Sequence, residues 1–351
     1  MAMVYKELPN YWKEHLSLKI EEIKKAQKNS TDGVTFALIT DFHLIVNEKY
    51  SVKMLEEILE KCNIPYFFNA GDNVSGCGIC TEEYLIGEID ECKRLFLPIE
   101  DKCLYAEGNH DRAFSTFEPP AYYVENITRA KFNEHYFASQ VKYGDRVYGS
   151  DSYYYVDNKE SKVRYVVLNS HDVPSDEKDE NGYAKYNAMR YCGFLQDQVD
   201  WFSKTALKLP SRDWSVIICS HITPLGTGGL KSYNYDIMLK ILNAFKKGEK
   251  FSAKSEHDIS LLNVSVNVNF NGAKGNVIGW FGGHSHKDQV VEKEGIYCIE
   301  TMCDAAFVES YPELGGTTKE QAFDVFVVDK ASKKVTAIRI GNGENREFFY
   351  K

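Results

Sequence analysis

Residues 34–43 read Val-Thr-Phe-Ala-Leu-Ile-Thr-Asp-Phe-His, an apolar run that ends on two metal-ligating side chains two positions apart. The run is short and rich in β-branched and aromatic residues, the composition of a buried strand. Alternate residues of an extended chain share a face, so Asp41 and His43 can be aimed at one cation. Working outward, the chain alternates. SVKMLEEILEKC (51–62) has helical spacing, YFFNAGD (66–72) is again strand-like, EYLIGEIDECKRLF (83–96) is helical, and CLYAEGNHD (103–111) returns to a strand. Strands alternating with helices of this length predict an α/β fold. Each strand ends in a polar cluster, and open α/β sheets place their chemistry at the carboxyl ends of strands.

Beyond Asp111 the pattern loosens. YYYVD (153–157) and VRYVVLNSHD (163–172) read as antiparallel strands about a turn at Asn158, and GFLQDQVDWFSKTALKL (193–209) as a further helix. DEKDENGYAKYN (176–187) is polar and reads as a surface loop. FDVFVVDKASKKVTAIRIGNG (323–343) alternates as a β-hairpin does. Before the first strand, Trp12, Leu16, Ile20 and Ile23 recur at helical spacing. Residues 1–30 are therefore expected to form an amphipathic helix packed on the body. Residues 31–351 are expected to form one domain, with a tyrosine-rich insertion at about 112–195 and a C-terminal hairpin.

Bulk properties exclude several classes. A hydrophobic fraction of 43% with 26% charged residues is ordinary for a folded globular chain. The net charge of −9 sets the average field against polyphosphate chains, so non-specific nucleic-acid binding is not expected. No stretch has the length of a membrane span or the pattern of a secretory leader. Nine cysteines at irregular spacing, several inside apolar runs such as SVIICSH (215–221), suggest reduced thiols and a cytoplasmic location.

The strand ends supply Asp41-Phe42-His43, Gly71-Asp72-Asn73, Gly108-Asn109-His110-Asp111, Ser220-His221 and Gly283-His284-Ser285-His286. Nearly all are metal-ligand types, and the glycines permit tight turns that bring a side chain close to an ion. Taken singly, each has an ordinary explanation: a solvated strand end, a core histidine, a capping turn. Their joint occurrence, each after an apolar run, does not.

In this order the blocks resemble the calcineurin-like metallophosphoesterases, whose pattern runs D-x-H, G-D, G-N-H-D/E, H, G-H-x-H. The resemblance extends from Asp41 to His286 and implies a sandwich of two mixed β-sheets flanked by helices in four layers. It implies that Asp41, His43 and His286 hold one divalent metal, that Asn109, His221 and His284 hold a second, and that Asp72 bridges them. Mixed imidazole, carboxylate and amide donors suit Mn²⁺, Fe²⁺ or Zn²⁺. Two such ions roughly 3.5 to 4 Å apart would clamp a phosphoryl group and acidify a bridging water, the nucleophile. His110 would protonate the leaving oxygen, with Asp111 orienting it. Asp72 is followed by Asn73-Val74-Ser75, without the Asp-Arg-Gly of protein phosphatases or the metal-binding tyrosine of purple acid phosphatases. The expected substrate is a small phosphomonoester or phosphodiester. Cleavage of a pyrophosphate, or a non-catalytic scaffold role in a phage or surface assembly, are the alternatives.

Three further features invite a role. Cys77, Cys80, Cys92 and Cys103 could close a structural zinc site, although Leu85, Ile89, Cys92 and Phe96 share a helical face and favour a buried thiol. Tyrosines between Tyr122 and Tyr191 could stack on a substrate base or fill strands. Arg112 is a candidate to pair with a substrate phosphate, or with a carboxylate at the surface.

Overall fold

In the computed structural model, residues 7–44, 48–76, 81–118, 121–136, 143–226, 228–305 and 312–351 are described. Two mixed sheets stack face to face. The first runs, edge to edge, β19 (Arg346–Phe349), β18 (Lys334–Gly341), β17 (Ala322–Asp329), β1 (Gly33–Ile39), β2 (Phe67–Asn69) and β3 (Cys103–Tyr105). The second runs β15 (Gln289–Lys293), β16 (Ile296–Glu300), β14 (Asn276–Gly282), β10 (Ser215–Cys219), β8 (Val163–Val167), β7 (Tyr154–Asn158) and β6 (Arg146–Tyr148). Ribbons β4–β5 (Ala113–Glu118, Ala121–Asn126), β9–β11 (Tyr191–Gly193, Lys231–Tyr233) and β12–β13 (Lys250–Lys254, Ser265–Asn269) lie outside them.

The period of two in β1 makes the layers. Phe36 and Leu38 enter the core between the sheets with Phe68, Leu104, Tyr165, Ile217 and Phe281. Ala37 and Ile39 point the other way, against the helices α1 (Asn10–Asn29), α2 (Glu48–Lys61), α3 (Glu82–Phe96) and α4 (Arg129–His135). A strand buried on both faces has no polar side, which is why β1 reads as a continuous apolar run. The second sheet packs its outer face on α5 (Gln196–Trp201), which continues as a π-helical turn over Phe202–Ala206, and on α6 (Tyr235–Lys247). The result is the four-layer α/β sandwich.

The N-terminal helix buries Trp12, Leu16, Ile20 and Ile23, the four positions its spacing marks. Full burial of such side chains contributes on the order of 1.5–3 kcal/mol each. Trp12 Nε1 also donates to Glu320 Oε1 at 2.7 Å, fixing α1 to the loop ahead of β17. No helix among the described residues is long and apolar enough to cross a membrane.

Two expectations change. The tyrosine-rich stretch is not an insertion as a whole, because β6, β7 and β8 are strands of the second sheet. Tyr154 and Tyr165 are large core residues there, with Tyr154 OH donating to Tyr105 O at 3.2 Å. The C-terminal hairpin β17–β18 gains a third strand, β19, and with it forms half of the first sheet.

The strands that carry the polar clusters run the same way within each sheet: β1, β2 and β3 are mutually parallel, as are β8, β10, β14 and β16. Their carboxyl ends therefore open on one rim. Asp304 N donates to Thr40 O at 2.8 Å and Gly283 N to His221 O at 2.9 Å, which closes the rim from both sheets.

Candidate metal centre

The first sheet delivers the carboxylates. Asp41 is fully buried; its Oδ2 accepts from Thr40 Oγ1 at 2.7 Å and His284 N at 2.9 Å. Asp72 Oδ1 accepts from His110 N at 2.7 Å, while Oδ2 faces His221 Nε2 at 3.2 Å and His110 Nε2 at 3.8 Å. A β-carbon on Gly108 would collide with the Asp72 carboxylate, and one on Gly283 with Thr40 and Asp41, so both positions demand glycine. Asp41, His43, Asp72, His284 and His286 all take positive φ, a costly conformation for non-glycine residues that concentrates at functional sites.

The second sheet delivers three of the imidazoles, while His43 follows β1 of the first. His221 Nδ1 meets Ala70 O at 2.8 Å, which leaves Nε2 to face Asp72 and, at 3.0 Å, Asn109 Oδ1. His284 Nδ1 lies 2.9 Å from the same Asn109 oxygen. His286 Nε2 is 3.2 Å from both Asp41 Oδ1 and His43 Nε2. Two sets thus form, Asp41–His43–His286 and Asp72–His221–His284, with Asn109 at the second, and a third, His43–Asp72–His110, overlaps both. All seven residues marked as ligands in the sequence meet on the rim.

The chemistry of these atoms fits cations. Asp41 Oδ1 is buried and faces imidazoles alone, His286 Nε2 at 3.2 Å and His43 Nε2 at 4.0 Å. A buried carboxylate oxygen is expensive unless a cation completes it, here either a protonated imidazole or a metal ion that takes the proton's place. Electrostatics agree. Burial alone would raise the Asp41 carboxyl, but the hydrogen bond and charge of His286 hold it well below the carboxylate range. Burial would raise Asp72 too, yet the charges of His221 and His110 hold it down. Burial disfavours charge on His221, but Asp72 outweighs it and lifts the imidazole to about 9. His286, likewise opposed by burial, is lifted by Asp41 to about 11. A metal entering either set must displace these protons.

His110 sits between the sets. Its Nδ1 lies 2.7 Å from Ser75 O, so the ring is oriented by that carbonyl. Asp111 does not orient the ring as expected. Its carboxylate accepts from the backbone N–H groups of Asp72 (3.0 Å), Asn73 (2.8 Å) and Gly108 (2.8 Å) and from Tyr105 OH (2.5 Å). It pins the turns that carry Asp72 and Asn109; burial, reinforced by the Asp72 charge, pushes it up to about 6. Arg112 is also corrected. The side chain is buried, giving its N–H groups to Ile127 O, Ser175 Oγ and Asp176 beside Glu107, so its fork is committed to the protein interior rather than to a substrate phosphate.

A family model for the calcineurin-like phosphoesterases matches residues 34–288, the span that contains this rim. The chain belongs to that family. A dimetal phosphatase from Danio rerio is similar in structure to this phosphoesterase, with a TM-score of 0.57 at 14% identity over 91% of this chain and 99% of that one. The GAP50 anchor of the Plasmodium inner membrane complex gives 0.42 at 13% identity, over 91% and 89%. No curated protein matches the chain.

His171 was not marked in the sequence. It follows β8 and is buried, with Nδ1 3.4 Å from Tyr191 O, Nε2 without a hydrogen-bond partner, and its ring 6.0 Å from that of His221. Burial holds it well below the usual histidine range. The signal was present, since Asn169-Ser170-His171-Asp172 is one more polar cluster after an apolar run. Of the cysteines that could have closed a zinc site, Cys92 and Cys103 are buried core thiols, and Cys77 and Cys80 lie outside the described residues, as do the side chains of Tyr122 and Tyr123. Cys92 Sγ donates to Asn73 O at 3.3 Å, binding α3 to the Asp72 turn. Tyr186 and Tyr191 meet edge to face at 5.3 Å beside Tyr233, a small aromatic cluster next to the rim.

Proposed function

We propose that this phosphoesterase is a binuclear hydrolase of small phosphomonoesters or phosphodiesters, using Mn²⁺, Fe²⁺ or Zn²⁺. Asp41, His43 and His286 would hold one ion, Asn109, His221 and His284 the other, and Asp72 both. The observation that carries this reading is the chain of overlapping ligand sets, Asp41–His43–His286, His43–Asp72–His110 and Asp72–His221–His284, in which His43 and Asp72 join the two candidate sites. Two bound dications would supply the charge that neutralises phosphoryl oxygens and acidifies an attacking water. The protein's own contribution is position and a proton. Thr40 Oγ1 and His284 N fix one oxygen of Asp41 and aim the other inward. His110, oriented by Ser75 O and part-exposed at the rim, would protonate the departing oxygen. The net charge of −9 favours a small substrate over a polyanion. Described cysteines that are all buried and free of disulfides support a reducing, cytoplasmic setting.

Turnover of the metal-reconstituted protein against a panel of phosphomonoesters, phosphodiesters and pyrophosphates tests the reading. Hydrolysis of an ester is expected. Preferential cleavage of pyrophosphates would redirect the substrate class, and equal inactivity on every member would favour a scaffold.

A further inference from the structure

Glu300 closes β16 and is fully buried. Its carboxylate accepts three hydrogen bonds, from Thr223 Oγ1 at 2.6 Å, Ser285 Oγ at 2.5 Å and Gln289 Nε2 at 2.9 Å. All three donors are neutral. No Lys or Arg among the described residues pairs with it, and Lys293 on the neighbouring strand gives its Nζ to Pro224 O at 2.6 Å instead. Burial raises the Glu300 carboxyl, and the charged groups that bear on it are those of the rim, Asp41 and His221. A buried carboxylate with no Lys or Arg paired to it is a liability for the fold alone.

Its partners say what the liability is for. Ser285 stands between His284 and His286, and Thr223 follows His221 by two residues. One carboxylate therefore grips the loop after β10 and the loop after β14, which together carry three of the four imidazoles in the two ligand sets. We propose that Glu300 is a positioning residue and fixed counter-charge of the metal centre: its negative charge is offset by the bound cations rather than by a Lys or Arg, and its hydrogen bonds hold the loops of His221, His284 and His286 in register. It makes metal-free protein less stable than it need be and metal-loaded protein tighter. The inference rests on the metal reading of the rim.

Glu300→Gln keeps the shape and removes the charge, whereas Ser285→Ala keeps the charge and removes one hydrogen bond. Mn²⁺ titration calorimetry and thermal unfolding with and without Mn²⁺ on both variants separate the two contributions. Metal-free Glu300→Gln is expected to melt at or above the wild-type temperature. Its Mn²⁺ affinity should fall about tenfold, the lower end of what outer-shell changes cost, with a smaller metal-induced rise in melting temperature. Ser285→Ala should lose less affinity. Unchanged Mn²⁺ affinity in Glu300→Gln, a metal-free melting temperature well below wild type, or an equal loss in Ser285→Ala would each overturn the proposal. Failure of the wild type to bind Mn²⁺ would remove the metal reading and this inference with it, whereas tight wild-type binding with an unaffected Glu300→Gln removes the inference alone.

Discussion

The strand ends of the two sheets bring different chemistry to the rim, carboxylates from the first alone and most of the ligand imidazoles from the second. Those of the first sheet carry Asp41, Asp72 and Asn109 with a single ligand imidazole, His43, and their turns are held by backbone N–H groups that donate to carboxylates: His284 to Asp41, His110 to Asp72, and Asp72, Asn73 and Gly108 to Asp111. Those of the second carry His221, His284 and His286, and their loops are held by acceptors such as Ala70 O and the Glu300 carboxylate. Neither sheet contains a complete ligand set. Asp41 and His43 need His286 from across the interface, and Asp72 and Asn109 need His221 and His284. The centre is thus a product of packing one sheet on the other, and bound metal should act as a clasp between them.

The deepest break in that clasp is Asp72→Asn, which removes the carboxylate between the two sets. Steady-state turnover should fall well beyond the roughly 10- to 100-fold that an outer-shell change costs, with metal content reduced at both sites. Arg112→Leu strikes beside the first sheet's ends without touching the rim. Glu107 keeps its pairing with Arg129, but Ile127 O and Ser175 Oγ lose their donor, and a buried group left unsatisfied costs about 1–3 kcal/mol, so denaturant unfolding should show a loss of that order. KM should stay near wild type; a selective rise in KM would restore a role at the substrate phosphate.

His110→Gln sharpens the division of labour. A general acid contributes about 10²- to 10⁴-fold, and an alkoxide needs the proton far more than a nitrophenolate does. With both metals bound, alkyl phosphoesters should slow within that range and aryl ones much less. Equal slowing would make His110 a phosphate-positioning group.

A gentler test is pH. The His221 imidazole is raised from 6.5 to about 9 in the metal-free fold, so its stabilising contribution is full below 6.5 and is lost as pH rises through about 9. The metal-free melting temperature should decline across that interval, while metal affinity should rise as the proton leaves. A metal-free melting temperature that climbs instead would contradict the Asp72–His221 pairing.

Much of this rim was legible in the sequence because a strand end is a local event. An apolar run followed by Asp-x-His or Gly-His-x-His fixes both the strand and the position of the ligands along it. Side-chain direction was not legible. Asp111 and Arg112 follow His110 directly, yet one turns back on the Asp72 backbone and the other inward to Ile127 and Asp176, partners far away in sequence that only the folded chain supplies. Glu300 was invisible for a different reason: a single glutamate after IYCI has no pattern, and only the packing of β16 beside β14 brings it to Ser285. The tyrosine-rich stretch misled because aromatic residues mark strands and loops alike, and only pairing with β10 puts β8 in the second sheet.

The claim that the two sheets jointly build two metal sites is tested most directly by elemental analysis after Mn²⁺ reconstitution of the wild type, His43→Ala and His221→Ala. Two metals per wild-type chain are expected, falling to about one in each variant, since each removes a ligand from a different set. One metal per wild-type chain at saturating Mn²⁺, unchanged by His221→Ala, would contradict the account.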